Sequence, residues 1–436
     1  MERLKKLSTA LEKLESLRAA RRSSSGVSAS SVLSVSSSTL SQAISSIDNG
    51  KSAVIIELGT KFTKLGSAGE AVPRSIIRTE YINERGVKIG ADEIFALNNK
   101  KNLQKPVEYY ENILCQFLKF IFLKSLAPTD RPFIIVESVF MSIDMRNTIT
   151  KIILEKLRAK TLMFMPTHIC STFPFNTSKA LVIDIGYSEC VAMPVIEGVT
   201  MLNEFESAHL ISGKVLEQQI RKLMKEHARI EEINGERREL TDEDWQEIEN
   251  IRLIETIVNN CVCVGKERTK KWKNSDAEPL LKEYCLALNG KSVVIPPIVL
   301  ETCTEIFFDE TLNEDTFDKT LPQMIFSIVE KCPIDIRKTL LSNILLIGGI
   351  SSICGLKSRI KEELIELCEK NSKKYAESVK FYQFEKMKSF PLFGAWLGAS
   401  LLGSLRETVE RKSITLQDFK NGKLAADWTD IIDKCI

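Results

Sequence analysis

Two stretches of this sequence set a carboxylate at the point where an apolar run gives way to a turn. In Ala53-Val-Ile-Ile-Glu-Leu-Gly-Thr-Lys-Phe-Thr-Lys-Leu-Gly66, Glu57 closes the run and Gly59 stands two residues later. In Ala180-Leu-Val-Ile-Asp-Ile-Gly-Tyr-Ser-Glu-Cys-Val-Ala-Met-Pro-Val195, Asp184 and Gly186 repeat the arrangement. An unbroken run rich in β-branched residues reads as a buried strand, and a glycine just beyond the acid permits a tight reversal. Each stretch is expected to be a hairpin with an acid at its bend. The near-copy suggests a duplicated α/β unit with two facing loops. A third stretch, Ser342-Asn-Ile-Leu-Leu-Ile-Gly-Gly-Ile-Ser351, is a buried strand emptying into Gly348-Gly349, with a helix expected over 356–367. Backbone N–H groups and a helix N-terminus there give a phosphate or a sugar a place to approach. Each feature also has a plainer reading, in which the acids cap hairpin turns and the glycines let strand and helix pack closely.

The elements that position these groups belong to a globular chain. Its 436 residues, 44% hydrophobic and 27% charged, suit two large units or about three smaller ones. With 60 basic and 58 acidic residues the net charge is +2, so no global field favours nucleic acid or an anionic membrane. No apolar run approaches the ~18–20 residues that span a bilayer, so no membrane insertion is expected. The 11 cysteines stand singly apart from Cys261-x-Cys263, and the histidines are His168, His209 and His227 only. That pattern fits free thiols in a reducing compartment, the cell interior, and argues against a metal site built from Cys and His.

Along the chain, residues 1–50 stand apart. Leu4, Leu7, Leu11 and Leu14 form a short amphipathic helix, and the Ser-rich passage from Arg21 to Asp48 reads as a disordered extension. This extension is either a partner-binding helix on a tether or a dispensable tail. The first folded unit, 51–176, holds the Glu57 hairpin, a polar passage from Thr79 to Pro106 with few apolar anchors, and a helix from Tyr110 to Leu126. Further on it has a strand at 133–137, a helix over 144–157 capped near Ser142, and a strand at 162–165. The second unit, 177–390, carries the Asp184 hairpin, a helix from Gly213 to His227 and a charged, helical stretch from Glu226 to Thr269. It continues through a β-hairpin around Asn289-Gly290, a helix over 322–332 and the Gly348-Gly349 crossing. Residues of about 211–300 form its peripheral part, and 391–436 return to the first unit. Small residues within Leu392–Leu405 permit close helix packing. Strand–helix alternation of this kind argues for an α/β fold with helices on the sheet faces.

In their order, the Glu57 and Asp184 hairpins, Gly348-Gly349 and Ala395-Trp-Leu-Gly398 resemble the actin family over roughly 52–428. The resemblance implies the actin-like ATPase fold, two duplicated α/β lobes around a central nucleotide cleft. Phe62-x-Lys64-x-Gly66-x-Ala68-Gly69 with Pro73-Arg74 looks like that family's first phosphate loop and its continuation, and Met193-Pro-Val-Ile-Glu-Gly198 looks like the second. Carried over residue by residue, Glu57 and Asp184 hold magnesium through water. Glu57, Gly59, Thr60, Lys64, Asp184, Gly186, Gly348 and Gly349 line the place for ATP or ADP. Within the family, Ile134-Ile-Val-Glu-Ser138, Pro166-Thr-His168, Ala192-Met-Pro194 and Cys332-Pro-Ile-Asp-x-Arg-Lys338 are similar to the actin-related protein 10 class, the pointed-end member of dynactin.

The departures from the family pattern bear on activity. Aligned on Asp184, the family's water-orienting Gln and His positions fall on Thr167 and Val191, with His168 one residue out of register. Tyr187-Ser188 replaces an Asp-Gly pair in the second loop, and a Cβ there restricts the conformations in which amides face a phosphate. On the adenine side Val258, Asn259, Ile353 and Leu392 stand where polar, charged or aromatic contacts occur in the family. The expectation is a protein in which hydrolysis is absent or vestigial and any ATP or ADP with magnesium is a structural ligand.

Actin-like filaments join head to tail, and the resemblance places an accepting apolar groove at Phe173, Val199, Leu402 and Leu405. The passage from Gly69 to Thr129, which would carry the loop that enters a neighbour's groove, is markedly shorter than actin's. A contact of this kind that cannot repeat stops growth, so a terminal cap without self-polymerisation is expected. The implied partners are the actin-like filament subunits of dynactin and its pointed-end adaptor subunits, at a cytoplasmic, cytoskeleton-associated location. Two other readings stay open: a nuclear actin-related protein of a chromatin-remodelling complex, and an active ATPase of the wider sugar-kinase and chaperone superfamily.

Overall fold

Both acid-bearing hairpins form, and each founds a sheet. The computed structural model of the protein describes residues 52–128, 130–264, 281–310, 319–371, 375–382 and 390–425. The expected helix and Ser-rich extension of 1–50 lie outside the described residues.

In the first lobe, β1 (Val54–Glu57) turns back as β2 (Phe62–Ser67), and β3 (Ser75–Arg78) adds to the outer side of β2. A small hairpin of β4 (Tyr81–Ile82) and β5 (Lys88–Ile89) leads through α1 (Ala91–Ile94) to α2 (Val107–Ser125). Strand β6 (Pro132–Glu137) runs parallel to β1; after α3 (Ile143–Lys151), β7 (Thr161–Pro166) completes a 5-stranded sheet of order β3-β2-β1-β6-β7. Helix α4 (Thr167–Thr172) follows at once.

The second lobe repeats the plan. Strands β8 (Lys179–Ile185) and β9 (Cys190–Ile196) form the hairpin, and β10 (Val199–Thr200) and β11 (Glu206–Ala208) pair with β9. Next come α5 (Gly213–His227), β12 (Arg229–Glu231), β13 (Arg237–Arg238), α6 (Asp242–Asn250) and α7 (Leu253–Asn260). With β14 (Tyr284–Leu288) and β15 (Lys291–Ile295) they build a peripheral part around a 4-stranded sheet of order β13-β12-β15-β14. Helices α8 (Pro297–Thr302), α9 (Leu321–Lys331) and α10 (Ile334–Ser342) lead to β16 (Ile344–Ile347), which runs parallel to β8. Helix α11 (Leu356–Lys370) covers this lobe, and α12 (Phe390–Gly403), α13 (Arg406–Lys412) and α14 (Leu416–Lys420) follow.

The duplication extends to register. In each lobe the acid-bearing strand has its hairpin partner on one side and a parallel strand on the other. Glu57 lies beside Lys64 and Val136, and Asp184 lies beside Val191 and Ile347. This is the duplicated two-lobe α/β architecture that the resemblance implies. The helix cap at Ser142 is present, its hydroxyl accepting the Met145 N–H at 3.1 Å, and Asn289-Gly290 turns the β14–β15 hairpin. The helix after Ser142 keeps its α form only to Lys151 and finishes as a π turn over Ile152–Lys156.

Two expectations change. The passage from Thr79 to Pro106 is anchored by buried Tyr81, Ile89, Ile94 and Leu97, each on or beside an element too short to show a hydrophobic period. The stretch from Glu226, expected to be helical, forms the β12–β13 hairpin between the end of α5 and the start of α6. Its charges pair across the strands, Arg237 with Glu231 at 2.9 Å and Arg238 with Glu232 at 2.8 Å, and a helix would separate those partners. Residues 265–269 of that stretch lie outside the described residues.

One apolar layer joins the lobes. Ala53, Ile55, Ile134, Val136, Met163 and Met165 from the first sheet and Ala180, Val182, Val195, Leu345 and Ile347 from the second pack on Trp396, Phe393, Ala395 and Ala399 of α12. Trp396 donates its indole N–H to the Ile55 carbonyl at 3.3 Å. Helix α12 crosses α4 so closely that a Cβ on Gly398 would stand 1.7 Å from the Cys170 carbonyl oxygen. No side chain fits there, so Gly398→Ala must drive the two helices apart. The expected cost is about 2 kcal/mol or more, read as a lowered midpoint in denaturant titration.

Candidate functional site

The two sheets bring the hairpin bends together. Lys64, opposite Glu57 across the first hairpin, donates from Nζ to Glu57 Oε1. The other carboxylate oxygen, Glu57 Oε2, is buried with no hydrogen-bond partner among the described residues. At the same register in the second hairpin the residue opposite the acid is Val191, which offers Asp184 no cation. Burial, the nearby Glu57 carboxylate and Glu189 push Asp184 up to about 7, against the pull of Lys64. Gly348 closes the back of the pair. Its φ of +93° suits glycine, and a Cβ there would meet the Ile185 carbonyl at 2.3 Å and Asp184 Oδ1 at 2.5 Å. A Cβ on the next residue, Gly349, would meet nothing within 4 Å, so that position faces open space. An orphaned carboxylate oxygen beside an acid destabilised as an anion is a donor set short of positive charge. Glu57 and Asp184 therefore fit a divalent cation, since Lys64 serves one Glu57 oxygen only and Val191 offers Asp184 no charge.

The bends themselves are tied up internally. Gly59 sits where a Cβ would lie 2.5 Å from the Phe62 carbonyl, and its own carbonyl accepts the Thr79 hydroxyl at 2.6 Å. Thr60 follows on the rim of the cleft between the lobes. The second bend is Gly186–Glu189, closed by the Gly186 N–H on the Glu189 carbonyl at 2.9 Å. Its carbonyls face α5: Gly213 N–H donates to Gly186 at 3.0 Å and Lys214 N–H to Tyr187 at 2.8 Å. Tyr187 and Ser188 both keep negative φ, so their side chains are accommodated without left-handed backbone. Met193-Pro-Val-Ile-Glu-Gly198, expected as the second phosphate loop, is instead the buried length of β9 and the turn at its far end, since Met193 pairs with Val182 in mid-strand.

The side chains expected at the water-orienting positions are held or buried within the first lobe and β9. Thr167 donates its hydroxyl to the Glu137 carbonyl at 2.9 Å, and Val191 is buried. His168, 2% exposed, hydrogen-bonds the Val191 backbone, and burial lowers it to about 4, so it is neutral at pH 7. Its Nε2 has no partner among the described residues. Of the residues expected on the adenine side, Val258 and Ile353 belong to the second lobe's core, and Asn259 and Leu392 are exposed.

A set of residues that, Tyr187 apart, sequence reasoning passed over spans the cleft. Lys61, at the first bend, donates to Glu217 of α5, lies 3.6 Å from Glu255 of α7, and stands 4.7 Å from the centre of the Tyr187 ring. Tyr187 donates its hydroxyl to the other Glu217 oxygen at 3.1 Å, and burial and Glu217 push it up to about 12. Arg78 of β3 bonds both Glu255 oxygens at 2.8 Å, and Arg252 bonds Glu80, which Lys88 also meets at 3.0 Å. Burial alone would raise Glu80, but the hydrogen bonds from Lys88 and Arg252 prevail and hold it below its ordinary value. These groups surround a cavity of about 300 Å³ between the lobes. Only the position of Tyr187 beside Gly186 could have signalled it.

The sequence was compared with known proteins. The family model described as Actin matches residues 48–423. The chain belongs to the actin family. Similar proteins include actin-related protein 10 of Dictyostelium discoideum, 26% identical, with 87% of this chain and 90% of that protein covered. Putative actin-29 of the same organism is 24% identical (85% and 95% covered), and its actin-related protein 3 is 22% identical (82% and 92%). The expected likeness to the actin-related protein 10 class is met by the first of these, and the cleft described above is this actin-related protein's version of the family cleft.

At the base of the molecule, α4 touches both α12 and β10. Phe173, just after α4, is 37% exposed and Val199 on β10 is 44% exposed. Leu402 packs partly into the layer between the sheets, and Leu405, which precedes α13, is half-buried. The solvent-facing leucine of that turn is Leu401, at 46%. Among the described residues no helix is long and apolar enough to cross a membrane.

The carboxylate pair sets a pH dependence. Asp184 has an ordinary value of 3.8 and a folded value of about 7. Between them the folded chain keeps a proton that the unfolded chain has released, so this stabilisation is full below about pH 4 and lost as pH rises to about 7. His168 runs the other way: its contribution is present above 6.5 and lost as pH falls toward about 4. In magnesium-free denaturant titrations Asp184→Asn should match wild type near pH 4 and exceed it in stability at pH 8. Equal stability at pH 8 would contradict the assignment.

Proposed function

We propose that this actin-related protein is a non-catalytic structural subunit that caps the pointed end of the dynactin minifilament, recruits pointed-end adaptor subunits, and so supports dynein-driven transport along microtubules. The observation that carries the proposal is the compact passage after β3. Where a polymerising relative would send out a long inserting loop, this chain makes only the β4–β5 turn. Asn83 closes it, its side chain accepting the Arg85 and Val87 N–H groups at 3.0 and 2.9 Å. Phe173 and Val199 meanwhile remain accessible at the other end of the lobes. A subunit that can accept a neighbour on one face and offers no loop on the other ends a filament.

The site supports a role without turnover. Thr167 is held by the Glu137 carbonyl and Val191 has no polar group, so neither is free to orient an attacking water. In this reading ATP or ADP with magnesium, when bound at Glu57 and Asp184, is a structural ligand.

Tagged full-length chain should sediment with a megadalton-sized dynein-activating complex in cytoplasmic extract. Recovery with chromatin-remodelling subunits from the nuclear fraction would overturn the assignment. Phe173→Asp combined with Val199→Glu should cut recovery with that complex about tenfold while leaving the denaturation midpoint unchanged, since both side chains are exposed. Purified protein with ATP and magnesium should release phosphate no faster than a blank. Release at conventional actin's rate would end the non-catalytic reading.

A further inference from the structure

The charged residues across the cleft do more than line it. From the first lobe come Lys61, Arg78 and Glu80; from the second come Glu217, Arg252 and Glu255, with Tyr187 between them. Two carboxylates each serve two groups: Glu217 receives Lys61 and Tyr187, and Glu255 accepts from Arg78 with both oxygens while Lys61 stands 3.6 Å away. Glu217 is buried, and Lys61 and Glu255 are largely so. Isolated surface pairs contribute little, but a shared, partly desolvated set is the arrangement in which ion pairs do hold. Its position is specific too. Lys61 belongs to the first bend and Tyr187 to the second, so their contact joins the two turns between which phosphates would stand.

We propose that these side chains clamp the two lobes shut on their own, so that the closed cleft does not depend on nucleotide. This inference deepens the non-catalytic reading and rests on it for its purpose, since a subunit that never cycles has no need of a ligand-timed closure. Closure becomes sensitive to ionic strength, because the network is electrostatic and only partly buried.

The test uses full-length protein freed of nucleotide with apyrase and EDTA, followed by hydrogen exchange at 58–62, 185–189 and 213–218 and by the radius of gyration in solution. At low salt, wild type should give the same radius and the same exchange with and without ATP and magnesium. Sodium chloride at about 1 M should raise exchange in these segments about tenfold. Lys61→Ala with Arg78→Ala should raise it about tenfold at low salt, and added salt should then change little. The proposal falls if nucleotide-free wild type is expanded and closes only with ATP and magnesium, or if neither salt nor the double variant changes exchange. Phosphate release would sink the non-catalytic reading and leave the clamp standing; an open nucleotide-free cleft without phosphate release would do the reverse.

Discussion

The contact between α12 and α4 governs the geometry of the whole protein. At Gly398 the two helices meet backbone to backbone, with the Cys170 carbonyl where a side chain would begin. Helix α4 leaves the end of the first sheet, and α12 lies against β1 and β16, one strand from each lobe. Their separation therefore sets how the sheets lean on each other. That angle in turn sets how near Glu57 comes to Asp184. The crossing that admits nothing larger than glycine thus helps to keep the two carboxylates within electrostatic reach of each other.

The same frame explains why two copies of one hairpin behave differently. With identical registers, the residue opposite the acid is Lys64 in one lobe and Val191 in the other. The first carboxylate gains a partner, and the second is raised in pKa by burial and by its neighbour. The site keeps the donors for a cation, while the side chains expected at the water-directing positions are bound into local structure. Thr167 holds a carbonyl, and His168 is sealed beneath β9 against the Val191 backbone.

The parts legible in the sequence were those set by short-range order. A strand, an acid and a glycine within five residues declare a hairpin, and the repeat of that pattern declared the duplication. The Ser142 cap and the Asn289-Gly290 turn are of the same kind. The cleft network left no such trace, because Lys61 and Glu217 are 156 residues apart and Arg78 and Glu255 are 177 apart. Each sits in a turn, strand or helix where a single charge is unremarked. The β12–β13 hairpin was hidden for a related reason: its charged residues look like a solvated helix until their partners across the strand are known. Met193–Gly198 misled because a strand ending in Glu-Gly resembles a loop when only spacing is read.

From Phe393 to Ser400 every residue of helix α12 is buried, so this stretch has no face that can rest on water. During synthesis both sheets are complete by Ile347, yet their inner faces stay bare until residues 390–403 arrive to fill the gap. The nascent chain thus carries two apolar surfaces for the time it takes to make the last stretch. A message cut short before that helix would yield two well-formed halves prone to aggregate.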